Sequence, residues 1–130
     1  MEVGRLDIMV EASEIGKGSN ISGDIEKSSD YIVSLFEKHG IFPKKGCSTI
    51  RDKSCCAVGI VSKELGDEYG GSSKFMDEYG ANLMWGIIFG FDGIDYLSNN
   101  LKILHQRVTK GYEIGKRTYE KLLEQGKIES

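Results

Sequence analysis

Seventeen glycines and a single proline, Pro43, set the strongest limit on how this chain of 130 residues can fold. The glycines recur at the ends of short apolar or amphipathic segments and follow no fixed period. Such spacing is typical of helix ends, turns and close helix contacts, and it argues against a collagen-like repeat or a linker array. The length suits one hydrophobic core. We therefore expect an all-α fold, a small bundle of about five helices with short connections.

The first predicted helix runs from about Ile25 to His39. Asp24 precedes it as a candidate N-cap, because its carboxylate can accept the free amide hydrogens of the first turn. Gly40 is suited to the left-handed residue that ends many helices. Residues 41–53 are predicted to form a connecting loop.

Residues 1–24 are assigned to an N-terminal extension, and residues 25–130 to a single helical domain. Leu6, Ile8 and Val10 alternate with acidic residues, which is a strand pattern that Met9 interrupts. A short strand, a short amphipathic helix and a flexible arm all stay open for this stretch.

Three further helices follow the loop in this interpretation. The second, from about Ser54 to Leu65, is apolar on every side in its first turns, so we expect it at the centre of the core. The third carries Phe75, Met76 and Tyr79 between Ser72 or Ser73 and Gly80. The fourth starts at Ala81 and ends at Gly90. A strand over the Trp85–Phe91 stretch is the alternative.

The last predicted helix has the clearest apolar stripe, which consists of Leu101, Leu104, Val108, Tyr112, Gly115, Tyr119 and Leu122. Lys110, Arg117 and Lys121 fall on the opposite side, with Arg107 at the margin. Gly126 can end this helix. Gly111 and Gly115 lie on or beside the stripe, where they would allow a neighbouring backbone to approach closely. A bend or break near Gly111 is the alternative.

Charge and composition favour a cytoplasmic protein. The formal net charge of −3 argues against a protein devoted to phosphate backbones. No apolar run is long enough to span a membrane, and the first residues are acidic where a signal peptide would be basic. The three cysteines, an odd number without an export signal, do not predict a disulfide framework.

Two candidate catalytic groups emerge from the residue types. Asp92 and Asp95, in the predicted turn that begins at Gly90, could act as an acid/base pair or bind a cation, although an Asx-turn and a helix cap are the favoured interpretation. Cys55 would lie at a helix N-terminus, where the helix dipole would lower its pKa and favour nucleophilic chemistry. A buried core cysteine is the simpler interpretation.

No metal or cofactor is expected. Cys47, Cys55 and Cys56 with His39 contain zinc-binding atom types. They lack a pair of cysteines separated by two to four residues, which lets two ligands converge from one turn, and the adjacent Cys55 and Cys56 would point about 100° apart on a helix.

The segments Cys56–Gly59, Gly90–Gly93 and Gly111–Gly115 together resemble small bacterial and phage proteins. Those proteins carry Cys-x-x-Gly on a helix, a Gly-Phe-x-x-Gly-Phe-Asp-Gly type of turn and a late Gly-Tyr-x-x-Gly helix. The similarity spans roughly residues 28–124, and the Gly86-Ile87-Ile88-Phe89 stretch departs from the pattern. The resemblance implies a helical fold and a microbial or mobile-element origin, and it implies no activity.

The function that the sequence favours is a small helical interaction or regulatory protein, of phage or mobile-element type, that acts by binding another macromolecule, and a protein is the expected partner. Self-association as a homodimer through the glycine-bearing last helix is compatible with this hypothesis. One alternative is a small enzyme that uses Asp92 and Asp95, with Cys55, in a cleft. A second is nucleic-acid binding through the basic face formed by Arg107, Lys110, Arg117 and Lys121.

Overall fold

A computed structural model describes Ile21, residues 24–93 and residues 106–128 of the chain. These residues form a mostly helical fold with a small two-stranded sheet. The helices are α1 (Ile25–His39), α2 (Ala57–Glu64), α3 (Ser73–Tyr79), α4 (Ala81–Asp92) and α5 (Gln106–Glu124), and the strands are β1 (Phe42–Pro43) and β2 (Ser54–Cys55). The predicted features of residues 1–20, and those that rest on Asp95, Leu101 and Leu104, lie outside the described residues.

Helix α1 has the predicted bounds and the predicted caps. The Asp24 carboxylate accepts a hydrogen bond of 3.0 Å from the amide of Lys27, and this satisfies one of the free donors of the first turn. Gly40 ends the helix with a φ of 66°. A residue with a side chain would be strained in this left-handed conformation, which explains why glycine is found there.

The sheet corrects the all-α prediction between α1 and α2. Strand β1 pairs in parallel with β2, within the stretch that the sequence predicted to be loop and helix. Ser54 and Cys55 are therefore extended, and helix α2 begins only at Ala57. The reason is tertiary, because the Cys55 carbonyl accepts a hydrogen bond of 2.8 Å from the amide of Lys44, directly after β1, instead of from an amide one helical turn later.

Helix α2 lies in the core, as its uniformly apolar surface predicted. Ala57, Val58, Ile60 and Val61 are fully buried. The largest fully buried side chains around them come from every other helix and from the segment before α1, and they include Phe75, Phe91, Ile32, Ile87, Ile114, Leu122 and Ile21.

Helices α4 and α5 pack with their backbones in close contact. Gly86 and Gly90 of α4 face Gly111 and Gly115 of α5, and a Cβ atom added to any of these four glycines would overlap a backbone carbonyl oxygen of the facing helix. The close approach predicted for Gly111 and Gly115 is thus confirmed, and α5 is continuous through Gly111.

The predicted helix stop at Gly90 is wrong. Helix α4 continues to Asp92 and ends at Gly93, which has a φ of 77°. Gly90 serves the contact with α5, and the Gly90–Asp92 part of the stretch predicted as a turn is the last turn of α4. None of the helices in residues 24–93 and 106–128 is both long and apolar enough to cross a membrane.

Candidate functional site

The basic residues predicted on the last helix do not form one solvated face. Lys121 is only 7% exposed, and its ammonium group contacts the carboxylates of Asp30, at 2.7 Å, and Glu26, at 3.0 Å. Arg117 also binds Glu26, with 2.9 Å between Nε and Oε2. Lys110 is exposed, and the side chain of Arg107 lies outside the described part of the chain. Two of the four predicted binding residues therefore join α5 to α1.

The titration of this ion-pair cluster follows from its contacts. Hydrogen bonds from Lys121 and then from Arg117 lower the pKa of Glu26. Burial alone would lower the pKa of Lys121, but its bonds to Asp30 and Glu26 outweigh burial and raise that pKa. Both groups are held in their charged forms, which is the behaviour expected of an ion pair between helices.

Asp92 connects the end of α4 to the loop after β1. Its carboxylate is half-buried and accepts a hydrogen bond of 3.0 Å from the amide of Gly46. Burial raises the pKa of Asp92, while the Gly46 bond and the nearby charge of Lys45 work in the opposite direction. Because Asp95 lies outside the described residues, the predicted carboxylate pair stays a prediction.

The cysteines lie in a setting that differs from the predicted one. Cys55 belongs to β2, and burial raises its pKa to about 12 instead of lowering it. Burial likewise raises the pKa of Cys56, the N-cap residue of α2, to about 11. A protonated thiol is a poor nucleophile. The lowered pKa expected for Cys55 is therefore wrong, because the residue lies inside the core before the helix begins.

Cys47 is the most accessible of the three cysteines, which are all free. Its thiol donates to the Thr49 carbonyl oxygen at 3.1 Å. Within the ranges that the structure describes, no three histidine, cysteine or acidic side chains converge as a metal site would require.

A groove that sequence reasoning missed lies beside the C-terminal ends of α1 and α5. It encloses about 950 Å³. Its apolar residues are Phe36, Ile41, Phe42, Pro43 and Ile128, and lysines line it at positions 44, 45 and 127. This volume falls at the upper end of the range for pockets that bind small ligands or short segments.

Two matching helix ends form the walls of the groove. After α1, the amides of Gly40 and Ile41 bond back to the carbonyls of Glu37 and Phe36 at 3.2 and 3.0 Å. After α5, Gly126 and Lys127 bond back to Leu123 and Leu122 at 3.0 and 2.9 Å. This hydrogen-bond pattern turns the chain sharply after a glycine and brings the next residues across the end of the helix. Ile41 and Phe42 on one side, and Lys127 and Ile128 on the other, thus line the same groove.

Phe42 is the most exposed large apolar residue of the groove. The residue is 67% exposed, although its backbone is fixed in β1, where its amide donates to the Lys53 carbonyl at 2.7 Å. An apolar ring held at the surface by a fixed backbone is a common feature of contact sites.

Lys45 is positioned by two neighbouring elements. Its ammonium group lies 4.2 Å from the centre of the Tyr119 ring, and Asp92 holds the adjacent Gly46. The cation–π contact and the Asp92 hydrogen bond both fix the loop at this end of the groove.

Comparisons of the chain with profiles of known protein families, with curated protein sequences and with solved structures found no match.

Proposed function

We propose that this protein is a small interaction protein that binds a segment of another protein in the groove between the ends of α1 and α5. The observation that carries this proposal is the exposed Phe42 ring beside the half-buried Ile41 and Ile128. Aromatic anchors in concave apolar sites contribute much of the binding energy at protein interfaces.

The alternative functions have less support. Nucleic-acid binding is disfavoured because Arg117 and Lys121 form ion pairs with carboxylates of α1, and these carboxylates would compete with phosphate groups. An enzymatic role has less support because Asp92 already accepts a backbone hydrogen bond and the raised pKa of Cys55 opposes thiolate formation. For a homodimer through the last helix, Gly111 and Gly115 already contact α4 of the same chain.

Selection from a library of displayed random peptides tests the proposal. We expect selected peptides to bind the full chain and to lose about tenfold in affinity for Phe42→Ala, because the main apolar anchor is removed. Tyr69→Ala is the matched control, since Tyr69 is 66% exposed and does not line the groove.

The two variants should remain folded, because each removes a side chain that is mostly in water. Binding that survives Phe42→Ala, or is lost equally in Tyr69→Ala, would contradict the assignment to the groove. A selection that enriches no peptide would contradict the function itself.

A further inference from the structure

The charge of the groove is opposite to that of the whole chain. The protein carries a net charge of −3, yet the described residues that line the groove include three lysines, Lys44, Lys45 and Lys127, and one carboxylate, Glu37. Lys44 and Lys127 are exposed, and neither takes part in an ion pair within residues 24–93 and 106–128. Their charges are therefore available to a bound group.

The helix ends do not cancel this positive charge. Helix C-termini carry partial negative charge on carbonyls that lack hydrogen-bond partners. In α1 and α5, carbonyls of the last turn accept the back-bonds from Gly40, Ile41, Gly126 and Lys127. The partial negative charge presented to the groove is correspondingly reduced.

Strand β1 does not offer a partner the usual backbone contacts. The amides of Phe42 and Lys44 are directed to β2, where they bond the carbonyls of Lys53 at 2.7 Å and Cys55 at 2.8 Å. The residue between them is Pro43, which has no amide hydrogen to direct the other way. Addition of a partner strand at this edge would lack a donor, so recognition depends on side chains.

We infer that the groove binds an acidic segment of a protein partner, in which carboxylates alternate with apolar side chains of leucine or phenylalanine size. This inference rests on the proposed function. The apolar side chains pack against Phe42, Ile41 and Ile128, and the carboxylates lie against the ammonium groups of Lys44 and Lys127. Lys45, already placed over the Tyr119 ring, contributes positive charge at the end of the groove beside Asp92.

Three synthetic peptide pools test this inference on the full chain. Each pool alternates randomised apolar residues with one fixed residue, which is Glu in the first pool, Gln in the second and Lys in the third. Measured by fluorescence anisotropy, the Glu pool should bind about tenfold more tightly than the Gln pool, since several exposed charge pairs each contribute modestly. The Lys pool should bind most weakly, and added salt should reduce the difference between the Glu and Gln pools.

Charge reversal in the protein provides the decisive comparison. In the double variant Lys44→Glu/Lys127→Glu, the order of the pools should invert, so that the Lys pool binds best. The control is Lys74→Glu/Lys116→Glu, which changes the net charge equally at exposed positions that do not line the groove and should keep the original order.

The outcomes separate this inference from the proposed function. Equal binding of the Glu and Gln pools would contradict the inference that the partner segment is acidic, but it would still support the groove as a protein-binding site. Loss of the Glu preference in the control variant would show a general charge effect and would also overturn it. If none of the three pools binds the full chain, both proposals fail.

Discussion

Gly90 shows how the absence of one carbon atom allows two helices to approach. A Cβ built on Gly90 would overlap the Tyr112 carbonyl oxygen, and the amide nitrogen of Lys116 would lie 2.9 Å away. Both obstacles are backbone atoms, which cannot rotate away as a flexible side chain could. The helices would have to separate to accept any larger residue.

Gly90→Ala should therefore destabilise the protein by about 2 kcal/mol, measured by chemical unfolding. An overlap with fixed backbone atoms belongs at the upper end of overpacking costs, about 3 kcal/mol, and the better helix propensity of alanine returns about 1 kcal/mol. Asn82→Ala, at an exposed site on the same helix, should change stability by less than about 0.5 kcal/mol. A Gly90→Ala variant as stable as the native protein would mean that α4 and α5 do not pack in this way.

The sequence alone predicted the role of some glycines but not of others. Gly40 and Gly126 follow amphipathic segments and end helices, as predicted. Gly90 also follows an apolar run, so its local sequence has the same appearance as a stop. Its role depends on Gly111 and Gly115, which lie more than twenty residues later and whose packing against α4 is a tertiary fact.

At the scale of elements, α5 shows the limit of an apolar stripe as a guide to burial. Its buried residues are Val108, Gly111, Ile114, Gly115, Thr118, Lys121 and Leu122. Tyr112 and Tyr119, which belonged to the predicted stripe, are only half-buried. The buried face therefore includes Thr118 and Lys121, whose polar groups find partners there. The Thr118 hydroxyl donates to the Ile114 carbonyl at 2.7 Å, and Lys121 binds carboxylates on α1, about ninety residues earlier in the chain.

Lys121 should contribute to stability mainly through its buried carbon chain. Lys121→Ala should cost about 1–2 kcal/mol in chemical unfolding, whereas Lys121→Met, which keeps most of the apolar stem, should cost less than about 1 kcal/mol. The ion pairs of Lys121 contribute little to the free energy of unfolding, because the side chains of Glu26 and Asp30 are 61% and 72% exposed and are solvated when their partner is removed.

The pH dependence of these variants distinguishes charge from packing. The pKa of Glu26 is lowered from 4.5 in the folded protein, so its ion pairs stabilise the fold at neutral pH and are lost as the pH falls through that lowered value. The difference between native protein and Lys121→Met should shrink in acid, while the additional loss in Lys121→Ala should persist. Equal destabilisation by both substitutions at neutral pH would contradict the packing explanation.

The small sheet was not predictable from local pattern. Each strand has two residues, which is too short for an alternation of buried and exposed side chains to be visible. Phe42 and Ser54 become partners only because α1 and α2 place the two segments side by side. The apolar run at Cys55 and Cys56 correctly predicted that these residues are buried, but it wrongly predicted that they are helical.

At the scale of the whole molecule, the groove depends on segments that are far apart in sequence. Both helix stops that form it were predicted, at Gly40 and Gly126. Nothing local indicates that these two ends adjoin, because that follows from the packing of α1 against α5. Lys44, Lys45 and Lys127 therefore appeared as separate charges in an acidic chain, and their common location is visible only in the folded protein.

The extent of the core yields the last prediction. Ile21 is fully buried in the core although it belongs to the segment assigned to the N-terminal extension. Ile21→Ala should destabilise the protein by about 2–4 kcal/mol, as expected when a buried isoleucine leaves a cavity. Met76→Ala removes a side chain that is 41% exposed and should cost less than about 1 kcal/mol in the same unfolding measurement. If the two substitutions had equal small effects, the core would begin with α1. A large effect confined to Ile21 would instead mean that a fragment starting at Ile25 lacks part of the core and should unfold at lower denaturant concentration than the full chain.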